Sequence, residues 1–483
     1  METTAGGPGR YSVCQIEVPV RQLSRFGPLL GADRYAELLR VAASAAMRLE
    51  GRTVVNVNST ASGGGVAEML DMLVGYVRDA GIDVRWDVLA ADAEFFSITK
   101  RLHNRLHGVP GDAGDLEATE ARHYAAVTAA NATSALGQVR PGDVVLLHDP
   151  QTAGMAAALS DAGARVVWRC HVGRDGANRW TDGAWSFLRP HLSACEAYVF
   201  SRLEYAPRWM DPSRVHVIPP SIDPFSPKNQ ELSDDAVVRI LRGIGLLADQ
   251  EGSPPGAFVR SDGSPGRVGA RAAILRDGPP LQPGDPLVVQ VSRWDHLKDM
   301  VGVMEGFARA VPSRVDAHLA LVGPQMDLVA DDPEGAAVFA ECVEAWQALP
   351  DESRHRVQLV CLPMEDVEEN AAMVNALQRH ATVIVQKSLR EGFGLTVAEA
   401  MWKGRAVIAS RVGGIIDQVA PGTGILLEDP GDLDAFATTL ADLLVDPEAI
   451  ARLGHRAHQH VLAEFVTDVH LERYAALIEW MGP

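Results

Sequence analysis

Short apolar runs alternate with amphipathic stretches along most of the chain, the pattern expected of parallel strands joined by covering helices. In the first half, strands are predicted at 53–58, 82–89, 143–147, 165–169, 198–201 and 215–218, and helices at 38–49 and from Val66 to about residue 80. The run 53–58 passes through Ser59-Thr60-Ala61-Ser62-Gly63-Gly64-Gly65 into a helix, so strand, Gly-rich loop and helix follow one another. Pro219-Pro220-Ser221-Ile222-Asp223-Pro224-Phe225-Ser226-Pro227 is stiffened by prolines and reads as an interdomain linker. Beyond it, 232–247 is helical, and strands recur at 287–291, 318–323, 357–361, 381–385 and 406–409 with helices between them. Residues 249–286 are rich in Gly, Pro, Ser and Arg with little periodicity, and are expected to form a flexible insertion. The chain is helical from Leu433, and its last helix, 469–481, is expected to fold back on the first domain.

These elements predict an α/β protein of two domains. The first is 1–218, with 465–483 packing back on it. The second is 219–464, carrying the insertion 249–286. A length of 483 residues and a hydrophobic fraction of 47% supply enough apolar surface for two cores. A net charge of −19 argues against nucleic acid or an anionic membrane as the main partner, because both demand a basic face. An anionic substrate must then be met by a local cationic pocket. The five cysteines, Cys14, Cys170, Cys195, Cys342 and Cys361, are scattered without metal-ligand spacing and read as free thiols of a reducing compartment. Residues 1–10 contain no apolar signal core, and no apolar run approaches the roughly 20 residues of a membrane span. A soluble cytoplasmic protein without a bound metal is expected, and a homodimer is compatible with the sequence.

Candidate chemistry concentrates after the strand 381–385. Ser388-Leu389-Arg390-Glu391-Gly392-Phe393-Gly394 leads into an apolar-periodic helix starting at Leu395. Glycines let backbone approach a ligand closely, and the free N–H groups of the first helical turn suit a phosphate. Carboxylates repel phosphate, so Glu391 and Glu399 fit a different task, accepting hydrogen bonds from sugar hydroxyls. Taken alone, the glycines serve a tight strand-to-helix turn equally well. Arg293 leaves the strand 287–291 and Lys298 lies on the following turn, so both can reach one diphosphate, a planar fork beside a point charge. Two surface cations would look the same, but lysine is scarce here (Lys100, Lys228, Lys298, Lys387 and Lys403 are all there are) and the same strand-end edge carries the Glu391–Glu399 loop. In the first half, His148 and His171 stand at the carboxyl ends of consecutive strands, where open α/β sheets place ligands. The stretch 95–108 sets two aromatics beside Lys100, Arg101, His103, Asn104, Arg105 and His107, either a donor-rich binding element or a solvated helix with an apolar anchor.

The spacing of Glu391 and Glu399 resembles the Glu-x7-Glu signature of retaining GT-B glycosyltransferases, which include glycogen and sucrose-phosphate synthases. Further blocks narrow the likeness. Asn56-Val57-Asn58-Ser59-Thr60, Gly63-Gly64-Gly65-Val66-Ala67-Glu68, His148-Asp149-Pro150-Gln151 and Trp168-Arg169-Cys170-His171 lie in the first half. Pro219-Pro220-Ser221-Ile222-Asp223-Pro224, Gln290-Val291-Ser292-Arg293, Asp331-Asp332-Pro333-Glu334-Gly335 and Arg390–Thr396 with Glu399–Gly404 follow. In this order, from about Arg52 to the C-terminus, they resemble trehalose glycosyltransferring synthase, with 249–286 outside the likeness. After His171 the chain has Val172-Gly173-Arg174-Asp175-Gly176 where archaeal-type enzymes carry a loop richer in Ser and Asn, which leaves the acceptor open.

The resemblance implies a GT-B fold, two Rossmann-like domains facing each other across a cleft, and transfer of glucose from a nucleoside diphosphate glucose to free glucose with retention, giving α,α-1,1-trehalose. The alternative is a related transferase with a sugar phosphate or secondary metabolite as acceptor. A non-catalytic nucleotide-sugar sensor is disfavoured by the co-occurrence of Arg293, Lys298, Glu391 and Glu399. By the same resemblance, His171, Arg293, Lys298 and Glu391 form the catalytic set. Gly64, Gly65, Leu362, Pro363, Gly392, Phe393, Gly394, Leu395 and Glu399 bind the donor, and Asn58, Lys100 and His148 lie near the acceptor. No cofactor is expected beyond the nucleotide sugar as co-substrate, and no metal.

Overall fold

The predicted apolar runs pair with one another into two separate sheets, each assembled within one part of the chain. A computed structural model of the chain describes residues 11–61, 64–112, 114–250, 252, 254–310, 316–325 and 333–482. The opening stretch 1–10, Ser62 and Gly63 of the first Gly-rich loop, and Asp331 and Asp332 lie outside the described residues. Two compact units result: Met1–Ser221 with Thr467–Pro483, and Ile222–Val466.

The first unit contains β1 (Cys14–Ile16), β2 (Val54–Asn58), β3 (Val84–Val88), β4 (Val144–His148), β5 (Arg165–Cys170), β6 (Ala197–Phe200) and β7 (Val215–Val217), in the spatial order β1-β3-β2-β4-β5-β6-β7. Only β1 runs antiparallel, against β3; the others are parallel. Apolar side chains are buried on both faces, Val55, Val57, Val145, Leu147 and Trp168 on one and Val144, Leu146, Val167 and Val199 on the other. The strand order reverses between β2 and β4, the topological switch point at which such sheets bind ligands. The C-terminal helix Thr467–Met481 belongs to this unit and packs on the helix Phe26–Arg48, with Arg34 Nε donating to Asp468 at 2.7 Å. The latter helix starts well before the expected residue 38, with a break at Gly31 (φ 75°) that hides its first turns from a periodicity count.

The second unit contains β8 (Ala257–Val259), β9 (Pro265–Arg267), β10 (Ala273–Leu275), β11 (Leu287–Val291), β12 (His318–Pro324), β13 (Val357–Leu362), β14 (Val383–Gln386), β15 (Ala406–Ser410) and β16 (Ile425–Leu427). Its main sheet has the order β10-β13-β12-β11-β14-β15-β16, parallel except for the edge strand β10. Without β10 this is the Rossmann order, and its switch point falls between β11 and β14.

Residues 249–286 differ from their expectation as a flexible insertion. β8 and β9 form a hairpin, and β10 extends the sheet by pairing with β13. Phe258, Val268 and Leu281 are buried, and Leu281 exchanges backbone hydrogen bonds with Leu246 and Ala248. The apolar residues that do this are few and widely spaced, so no helical or alternating period betrays them.

Candidate active site

In the second unit the switch point brings the candidate residues together. β11 ends before Ser292 and Arg293, and Asp295 caps a 3-10 turn, His296–Lys298, by accepting from the Leu297 N–H at 2.8 Å. Lys298 Nζ lies 2.5 Å from Glu391 Oε2, and both side chains are largely sheltered from solvent, at 15% and 13% exposure. Ser388 Oγ donates to the same carboxylate oxygen at 3.2 Å and accepts from Gln386 Nε2 at 3.0 Å, while Thr396 Oγ1 donates to Gln386 Oε1 at 3.0 Å. One hydrogen-bonded path therefore runs from the helix Leu395–Trp402 to the Lys298 ammonium. Arg293 stands apart: it is exposed, and Nη2 pairs with Asp295 at 3.0 Å.

The turn that carries Lys298 is held from below. Gln290 is fully buried in β11; Nε2 donates to the Lys298 carbonyl at 2.7 Å, and Oε1 accepts from the Lys387 N–H at 3.0 Å. Lys387 is fully buried as well, and its ammonium bonds Asp299, which adopts a left-handed conformation (φ 49°) directly after Lys298. A buried ammonium is stable only when paired, so this contact pins the turn. Neither Gln290 nor Lys387 was a sequence candidate; a polar residue inside an apolar strand was the available signal.

The Gly-rich turn is shaped for close approach. Gly394 sits at φ 84°, a conformation that favours glycine, and caps the helix Leu395–Trp402, whose first N–H groups lack intrahelical acceptors. The carbonyl of Gly392 accepts from Gly414 N–H at 3.0 Å, and Phe393 is buried with its carbonyl held by Gln418. Glu399 lies one side of this helix, buried, 3.8 Å from Lys228 Nζ. Lys403 Nζ donates to the Glu399 carbonyl at 3.1 Å and to Asn229 Oδ1 at 3.0 Å; burial pulls its ammonium down to about 7. Leu362 ends β13, two strands from β11, and Pro363 follows it; their carbonyls accept from the Gln325 N–H at 2.8 Å and from Asn370 Nδ2 at 2.9 Å.

In the first unit a second cluster lies at the other switch point. His148, buried at the end of β4, places Nε2 3.2 Å from Asn56 Oδ1 on β2 and Nδ1 3.0 Å from His171 Nε2. Arg169 Nε–H donates to the same His171 Nε2 at 3.1 Å, so the guanidinium, His171 and His148 form one contiguous polar cluster. Burial and the neighbouring Arg169 guanidinium push His148 down to about 3 and His171 well below its usual value, so both rings are neutral at pH 7. Arg169 is itself buried and donates to Tyr474 Oη at 2.6 Å and to the Ile218 carbonyl at 3.0 Å. Asp149 was missed by the sequence reading. It has a left-handed backbone (φ 63°), its Oδ1 accepts from the His171 N–H at 2.7 Å, and burial raises its carboxyl to about 7. A left-handed non-glycine backbone at a strand end, in a carboxyl raised by burial, makes Asp149 a candidate beside His171.

The remaining candidates separate. Asn58 is buried and its amide is satisfied within the unit, Nδ2 donating to the Thr60 carbonyl at 2.7 Å and Oδ1 accepting from Trp86 Nε1 at 2.8 Å. Lys100 is exposed on the helix Ala93–Leu106 and makes no hydrogen bond or ion pair with Asn58 or His148. Gly64 (φ 105°) caps the helix that begins at Gly65. Among the described residues, no group of His, Cys, Asp and Glu is arranged to hold a metal ion, and no helix is long and apolar enough to cross a membrane.

Residues 56–207 match the family described as trehalose synthase, N-terminal domain, and residues 273–460 match glycosyl transferases group 1. The trehalose synthase of Rubrobacter xylanophilus is 33% identical over 452 residues, which cover 92% of this chain and 94% of that one. The chain belongs to the trehalose synthase family. The Pyrococcus horikoshii trehalose synthase is 32% identical over 98% of this chain and 99% of its own length. Among solved structures, the E. coli trehalose-6-phosphate protein with bound UDP-2-fluoro glucose superposes with a TM-score of 0.64 at 12% identity, covering 89% of this chain and 99% of that one. That likeness shows the fold, which is GT-B. As a member of this family, the chain is a trehalose-forming glycosyltransferase with one Rossmann-like sheet in each unit.

Proposed function

We propose that the chain transfers glucose from a nucleoside diphosphate glucose to the anomeric hydroxyl of free glucose, with retention, giving α,α-1,1-trehalose. The observation that carries this reading is the Lys298–Glu391 pair at the switch point of the second sheet, beside the Gly-capped start of the helix Leu395–Trp402. An ammonium and helix N–H groups suit a diphosphate, and the carboxylate suits sugar hydroxyls. In this reading Lys298 and Arg293 hold the diphosphate and stabilise the charge that grows on it as the glucosyl C–O bond breaks. The acceptor oxygen bonds the anomeric carbon on the same face, and the departing phosphate oxygen takes the acceptor's proton. Glu391 holds donor glucose hydroxyls and fixes Lys298, Glu399 takes the ribose, and Gly392–Leu395 supply backbone donors. In the first unit, the neutral His148–His171 pair and Asp149 would contact sugar hydroxyls. The E. coli neighbour's nucleotide sugar and the family's full-length match support the choice of donor class.

The test is incubation with ADP-, GDP- and UDP-glucose, each with free glucose, with glucose 6-phosphate, or with inorganic phosphate and trehalose. A non-reducing disaccharide from nucleotide sugar and glucose is expected. Product only with glucose 6-phosphate would assign another acceptor. Turnover only with phosphate and trehalose would replace nucleotide dependence by phosphorolysis.

A further inference from the structure

The segment that sequence patterning leaves without a structure lies against the ligand edge of the second sheet. Arg260 on the loop joining β8 and β9 bonds Asp366 at 2.5 Å and Glu368 at 3.1 Å. Ser261 N–H donates to Glu368 at 2.8 Å, and the N–H groups of Gly269 and Ala270 donate to Glu369 at 2.6 and 2.7 Å. Asp366 caps the helix Val367–His380, so all these bonds converge on one helix start. The Arg260 guanidinium is held charged by its two carboxylates.

This docking walls one side of an open cavity of about 310 Å³, lined by Ala270 and Arg271 from the segment, Gln325 after β12, and Pro363, Glu365 and Asn370 after β13. The cavity opens at the carboxyl end of the strands, on the same edge as Lys298 and Glu391. β13 lies two strands from β11, roughly 10 Å at the usual strand spacing. A ribose standing between a diphosphate and its base bridges such an offset. Within the cavity wall Asp366 and Glu369 are committed to holding the segment, whereas Arg271 and Glu365 are exposed and pair with no described residue. They present one donor fork and one acceptor.

Resting on the nucleotide-sugar reading above, we propose that residues 254–281 form one wall of a nucleobase pocket, and that Arg271 selects bases carrying a ring carbonyl, guanine or uracil, over adenine. Its guanidinium donates to O6 of guanine or O4 of uracil. Adenine carries an amino group at that ring position, a donor that a guanidinium cannot engage. Glu365 accepts from the ring N–H adjacent to that carbonyl, which adenine lacks. The segment is thereby a specificity element, and the diphosphate contacts are left to Lys298 and Arg293.

Calorimetric titration of the full chain with ADP, GDP, UDP and inorganic pyrophosphate tests this without turnover. The unmodified protein is expected to bind GDP or UDP at least about tenfold more tightly than ADP. Arg271→Ala, a surface change that leaves the core intact, should erase that ranking by weakening the carbonyl-bearing nucleotides alone, with pyrophosphate unchanged. Arg260→Ala, which releases the segment from the helix start, should erase it too. Equal weakening of all nucleotides by Arg271→Ala, no weakening of any, or a preference for ADP in the unmodified protein overturns the proposal. If the ranking behaves as expected but no disaccharide forms from nucleotide sugar and glucose, the transferase reading falls while the base pocket stands. Disaccharide formation with a flat ranking does the reverse.

Discussion

Lys298 Nζ lies 2.5 Å from Glu391 Oε2, across the switch point of the second sheet, although 92 residues separate them in the chain. The ammonium is thus oriented before any anion arrives, and it is sheltered enough for its charge to act at short range. Preorganisation of this kind favours a transition state with growing phosphate charge over the bound donor.

Lys298→Ala is therefore expected to lower kcat at saturating donor by about 10²–10³-fold, with a smaller change in KM for the donor. Arg293→Ala should act in the same direction but less, since Arg293 is exposed and loosely held by Asp295. Steady-state kinetics with varied donor check this; a rise in KM at unchanged kcat would mean that the two cations only anchor the donor.

Gln290→Leu removes the hydrogen bonds of a fully buried amide, orphaning the Lys298 carbonyl and the Lys387 N–H. Each buried group left unmade costs about 1–3 kcal/mol, so a lower urea midpoint is expected. Turnover should fall as well in the fraction that stays folded, because the turn bearing Lys298 loses its support. Retained kcat with reduced stability would show that Asp299 and Lys387 suffice to hold the turn.

Stability of the first unit should decline as pH falls below about 6.5. His148 is held down to about 3 in the folded state, so the unfolded chain binds the extra proton between those values and gains from it. At pH 5 this amounts to about 2 kcal/mol for His148. Asp149, raised to about 7, takes up a proton on folding and opposes the trend, so the histidine contribution is isolated by comparison with a variant. Denaturant unfolding of the unmodified chain and His148→Gln at pH 7 and pH 5 checks it; the variant should lose less on acidification.

Replacing residues 254–281 by a short Gly/Ser linker is expected to reduce soluble protein and lower the melting temperature of the second unit. The change strips β10 from β13 and exposes an unpaired strand edge, along with the surface now covered by Phe258 and Val268. Thermal melting and soluble yield test it, and an unaltered melt would show that the segment rests on the sheet without supporting it.

The strands and the two-part division follow from local chemistry. Val144-Val145-Leu146-Leu147 is apolar throughout and Leu287–Val291 is apolar but for Gln290, which burial on both faces of a parallel sheet accommodates, and Gly394 before an apolar-periodic run marks a helix start. The spacing of Glu391 and Glu399 carried the family for the same reason, because one short turn and the helix that follows it fix their separation. What tertiary structure decided are relationships between strands distant in sequence. Strand order put the ends of β11 and β14 side by side and so joined Lys298 to Glu391; it also set Asn56 against His148 and left Lys100 without either as a partner. The neutrality of His148 and His171 comes from burial beside Arg169, a property of the packed unit. Residues 249–286 were illegible for a related reason. Their order rests on a few buried apolar groups, on bonds to Asp366, Glu368 and Glu369, and on the edge of β13, far away in the chain, and a linear pattern carries no record of a partner that only the folded sheet presents.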